Sequence, residues 1–149
     1  MEARYHLYTS LKKAISTHLK GVVKHVGLWN QDTEFLEESM PFERPAVFVE
    51  FGPITWDTVF KAWPVCARGV GEVKLHVVTD WNGDQDSAIA MDLSQKVAGV
   101  LMSISDIEQG YAVMKPGQTL TNHDHEQILE NIEVLSVKWQ QVYDMIVEE

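Results

Sequence analysis

The chain has 149 residues, 45% hydrophobic and 23% charged, with a formal net charge of −10 and a sequence pI of about 4.9. One domain of this size buries roughly two-thirds of its unfolded surface, so residues 1–149 are expected to form a single domain. The acid excess, with twelve basic residues that fall in no run, argues against non-specific nucleic-acid binding, which needs clustered Lys and Arg. No apolar stretch approaches the roughly 18 residues of a membrane span, and the lone Cys66 excludes an intrachain disulfide. The N-terminus, MEARYHLYTS, has no signal-peptide core. These features predict a soluble protein made and kept inside a cell, or inside an assembly built there.

Residues 4–19 carry Tyr5, Tyr8, Leu11, Ile15 and Leu19 at three- and four-residue spacing, with Ala14 beside them, which predicts an amphipathic helix. Lys12, Lys13 and Lys20 sit towards its C-terminal end, where positive charge suits the helix dipole, and Gly21 is placed to cap it. A short strand over 22–29 follows. Residues 32–43 are acidic and read as a solvated loop with room for one helical turn. Pro45 to Phe51 (PAVFVEF) is a clear strand, led by a proline where no ladder bond has yet begun. Residues 54–69 allow two readings. Trp56, Phe60 and Trp63 fit a helical turn stopped by Pro64, or 54–60 prolongs the strand and turns over. Ala67 to Gly71 (ARGVG) reads as a flexible run.

Gly71 to Trp81 (GEVKLHVVTDW) alternates cleanly. Val73, Leu75, Val77 and Thr79 share one face, and Glu72, Lys74, His76 and Asp80 the other. This is the pattern of a half-buried antiparallel strand. NGDQDS then supplies turn and cap chemistry through Gly83, Asp84, Asp86 and Ser87. Ile89, Leu93, Val97, Val100, Leu101 and Ile104 form the apolar stripe of a second helix. Tyr111 to Thr121 predicts a strand broken by Pro116 and Gly117, and 122–127 (NHDHEQ) a polar turn. In the last strand, 129–143, Ile132 and Val134 share one face while Leu135, Val137 and Trp139 share the other. That change of phase predicts a β-bulge or a switch of partner. The expected fold is α+β, an antiparallel or mixed sheet with helices packed on it, in the order α-β-β-β-α-β-β.

No catalytic constellation stands out. His123, Asp124 and His125 are metal-ligand types, but without a third or fourth ligand in recognisable spacing a polar hairpin turn accounts for them better. The acids after Asp80 lack the closing glutamate of a calcium loop. No Gly-rich phosphate loop opens a helix, so no cofactor is expected. Five tryptophans are many for this length. Those in 54–69 are hard to bury if that stretch is a loop, which makes Trp56, Phe60 and Trp63 candidate partner-interface residues. Two alternatives stay beside an assembly role: a small metal-dependent enzyme using His123, Asp124 and His125, and an intracellular protein-binding module using the aromatic stretch 54–69.

The order of these elements, with YHLYTSLKKAI, RPAVFVEF, VKLHVVTDW and AIAMDLSQKVAGVLMSI as its chief segments, resembles the tail-terminator (tail-completion) proteins of long-tailed bacteriophages and prophages. The resemblance spans nearly the whole chain and rests on layout, not on a catalytic signature. It implies a non-enzymatic virion protein, made in the bacterial host cytoplasm and located at the tail or neck. It further implies a homo-oligomeric ring, typically a hexamer, that caps the tail tube. The implied partners are the tail-tube protein and the head-completion or connector protein, with DNA only as passing cargo. Asp32, Glu34, Glu37 and Glu38 are then candidates to line the channel, where like charge repels passing DNA within about a Debye length.

Overall fold

The computed structural model describes residues 3–29, 43–60, 65–80, 87–104, 119–122, 127–129 and 132–147. The elements are helix α1 (Ala3–His18), strands β1 (His25–Leu28), β2 (Ala46–Phe60) and β3 (Val65–Asp80), helix α2 (Ser87–Ser103), and strands β4 (Leu120–Asn122), β5 (Gln127–Leu129) and β6 (Ile132–Val147). The α+β class and the α-β-β-β-α-β-β order expected from the sequence are observed, with the three-residue β5 as an addition beside β6. The sheet runs β1-β2-β3-β6-β4, and β5 also pairs with β6. Among the described strands β1 and β2 pair in parallel, and the other pairs are antiparallel. A parallel pair needs a crossover of about a dozen residues or more, and the chain between Leu28 and Ala46 is long enough to make one.

Both helices serve one face of the sheet. Leu7, Leu11, Ile15 and Leu19 from α1 and its end, and Leu93, Val97, Ala98 and Leu101 from α2, pack with Val47, Val49, Val73, Leu75, Val77, Val137, Trp139 and Tyr143. Burying such a side chain contributes about 1.5–3 kcal/mol, so this layer is the main source of stability. Gly21 ends the first helical unit with φ of 82°, a conformation open to glycine without Cβ strain. The predicted stripes are right in the middle and wrong at their first residues. Tyr5 is 52% exposed and Ile89 60% exposed, while Leu7 and Ala90 are buried.

Two expectations are corrected. ARGVG is not a flexible run: residues 67–71 belong to the first half of β3, paired with β2 on one side and β6 on the other. Of the two readings of 54–69, strand prolongation holds for 54–60, and β2 continues to Phe60. The second correction concerns the bulge; the alternative, a switch of partner, is seen on the other edge of β6, which pairs with β5 at Ile132 to Val134 and with β4 at Val137 to Trp139. β3 and β6 keep one register from Val65↔Val147 to Asp80↔Ile132, so β6 has no slip against β3. Its phase change arises because both faces are covered: Val134 joins a second cluster with Ala46, Phe48 and Val78, while Val137 and Trp139 face the helices. The register shifts lie instead in β2, between Phe51 and Ile54 and between Thr58 and Phe60. The extra residue at the first shift lets Ile54 and Trp56 face the same core as Val47, Val49 and Phe51.

Candidate functional site

Of the residues singled out from the sequence, Trp56 and Phe60 lie among the described residues. Trp56 lies on β2 and is half-buried, its ring centroid 6.5 Å from that of Tyr143. It crosses β3 where Gly69 leaves room: a Cβ there would stand 2.6 Å from Trp56 Cε3 and 2.6 Å from Ile54 Cγ2. Phe60 closes β2 with its backbone opposite Cys66. Trp63, the acids Asp32, Glu34, Glu37 and Glu38, and the turn residues His123, Asp124 and His125 lie outside the described residues. Among the described residues no group of three or more His, Cys, Asp or Glu side chains could hold a metal ion. No described helix is long and apolar enough to cross a membrane.

The most organised polar cluster lies on the sheet face away from the helices. Ala46, Phe48, Val78 and Val134 are buried there, and Trp29, just after β1, folds its indole against them. The indole stacks on the His76 imidazole at a centroid distance of 3.6 Å and an interplanar angle of 17°, and meets Phe48 edge-on at 6.2 Å. His76 is only 2% exposed. Its Nε2–H donates to Glu50 Oε1 at 2.7 Å. Ser136 is the cross-strand neighbour of His76 and is fully buried. A serine, a histidine and a carboxylate thus lie close together, as in a hydrolase triad. Yet the Ser136 hydroxyl has no hydrogen-bond partner among the described residues, so the bond that would activate it is not made, and burial closes it to substrate. The cluster is a clamp that fixes the end of β1 onto β2 and β3. At the rim, Arg44 pairs with Asp80.

Residue spacing alone does not mark this clamp. His76 reads from sequence as a surface or sheet-face position, because the alternation of VKLHVV places it on the face opposite Leu75 and Val77. The available signal is the doublet Val77–Val78, which breaks the alternation and marks a strand covered on both faces. A second buried polar pair supports the helix side: Trp139 Nε1–H donates to Gln141 Oε1 at 2.9 Å, and the Gln141 amide donates to the Val142 carbonyl at 3.0 Å.

The fold and its surfaces therefore define a single-sheet α+β protein with helices on one side, whose best-ordered polar cluster serves packing. No protein-family model and no curated protein matches the chain. Among solved structures it is similar to a chain described as "Virion of native gene transfer agent (GTA) particle", with a TM-score of 0.51 and 14% identity, over 96% of this chain and 98% of that one. The likeness is one of fold.

Proposed function

We propose that the chain is a structural protein of a phage or phage-like particle, acting as the tail terminator. In this reading it forms a homo-oligomeric ring, typically of six copies, that caps the tail tube and meets the head connector, and it catalyses no reaction. The observation that supports this best is the nearly end-to-end fold likeness to a chain of a virion particle. It agrees with the sequence resemblance, which rests independently on the order α-β-β-β-α-β-β and on the segments at 45–51 and 71–104. The interface roles of Trp56, Phe60 and Trp63, and the channel role of Asp32, Glu34, Glu37 and Glu38, belong to the same proposal. Purified protein added to purified tail tubes and imaged by electron microscopy tests it. A ring-shaped cap at one end of the tube is the expected result; bare tube ends, or decoration along the whole tube, would contradict it.

A further inference from the structure

The charges of this chain are segregated. Residues 3–31 contain no Asp or Glu but carry Arg4, Lys12, Lys13, Lys20 and Lys24, with three of the six histidines. Beyond residue 31 the chain holds the other seven bases against 21 of the 22 acids. The bases do not form a run in sequence, but the fold makes them a surface. In α1 the stripe Leu7, Leu11 and Ile15 is buried, so Lys12, Lys13, Thr17 and His18 face outward, followed by exposed Lys20 and Lys24. Among the described residues none of these four lysines makes an ion pair. Between α1 and the end of α2 lies a groove of about 390 Å³ lined by Thr9, Ser10, Lys13, Thr17, His18 and Ile104. One ammonium and one imidazole with no carboxylate beside them suit a carboxylate-bearing surface; of the three hydroxyls, those of Thr9 and Thr17 already donate to the His6 and Lys13 carbonyls.

We propose that the outer face of α1 is the basic half of a contact between copies of this chain, seating the acidic surface of the neighbouring copy. The chain itself supplies the complement, since beyond residue 31 acids outnumber bases three to one. Nucleic acid offers negative charge too, but the complement present in every assembly of this chain is its own acidic part. Unlike patches on separate parts of the surface that meet head to tail generate closed rings or open filaments, whereas a two-fold dimer uses one self-complementary patch twice. The contact therefore deepens the ring reading, on which it rests. It also answers a difficulty of that reading: copies of net charge −10 repel one another unless unlike patches are brought together.

The test uses rings assembled on purified tail tubes from an equal mixture of ¹⁵N-labelled and unlabelled protein, crosslinked with a zero-length carbodiimide. Labelled-to-unlabelled links from Lys12, Lys13 or Lys20 to carboxylates are expected. Raising salt from about 0.1 M to about 1 M, which shortens the screening length from about 10 Å to about 3 Å, should lower ring occupancy. The triple variant Lys12→Glu, Lys13→Glu, Lys20→Glu should abolish the rings with its circular dichroism and Tm near wild type, while the triple Lys→Arg variant keeps them. Rings that form without copy-to-copy links from α1, or that survive the charge reversal, overturn the inference and leave the ring reading standing. Links from α1 to the tube protein alone overturn it too, as does a short DNA duplex bound by the wild type and released by the Glu variant. If no ring forms on the tubes, the ring reading fails, and this inference with it.

Discussion

A methyl group added at residue 69 and one added at residue 99 have opposite consequences. At Gly69 the new Cβ would lie 2.6 Å from both Ile54 Cγ2 and Trp56 Cε3, inside the packed layer that Trp56 shares with Tyr143. Overpacking of this kind costs about 1–3 kcal/mol. At Gly99, in the C-terminal half of α2, nothing lies within 4 Å of the added carbon, and replacing a helical glycine with alanine stabilises by up to about 1 kcal/mol. Urea unfolding of Gly69→Ala and Gly99→Ala should therefore move the midpoint down and up respectively; equal shifts would mean that Trp56 does not lie across β3. The clamp gives a second residue-scale prediction. Glu50→Ala takes the hydrogen-bond acceptor from the buried His76 Nε2, which should cost about 1–3 kcal/mol. A Glu50→Ala midpoint identical to wild type would show that the Glu50–His76 bond contributes nothing to holding Trp29 in place.

At the scale of elements, the two helix stripes separate what sequence spacing reveals from what packing decides. The spacing finds both helices and their middle residues, because a 3.6-residue period survives any orientation of the helix. It misplaces the first turn of each, since the point where a helix leaves the sheet depends on neighbours distant in sequence. Leu11→Ala, Ile15→Ala and Leu93→Ala should each cost about 2–5 kcal/mol, whereas Tyr5→Ala and Ile89→Ala, at positions 52% and 60% exposed, should fall within about 0.5 kcal/mol. Thermal unfolding of the five variants distinguishes this pattern from an unbroken stripe. The strands show the same division. Residues 73–79 are legible because one face is buried against helices. ARGVG hides a strand because Gly69 and Gly71 read as flexibility, while in the fold they make room for Trp56, Ile54 and the Pro53 carbonyl. The phase change in β6 suggests a bulge only if one face is wet; Val134 and Val137 are buried on opposite faces. The Trp29–His76–Glu50 clamp joins three strands' worth of sequence, and no local pattern announces contacts of that range.

At the scale of the molecule, charge is the property most closely tied to the proposed role. If Asp32, Glu34, Glu37 and Glu38 line a channel for DNA, replacing all four with Lys should slow DNA ejection or leave DNA held at the neck, since attraction replaces repulsion within the screening length. Ejection kinetics indistinguishable from wild type would remove these residues from the channel without touching the rest of the account. The most direct test of the tail-terminator role is electron microscopy of particles produced when this one protein is missing. Tails of abnormal length, or tails that fail to join heads, with both defects repaired by supplying the wild-type chain, are predicted. Tails of normal length joined to heads in its absence would contradict the account.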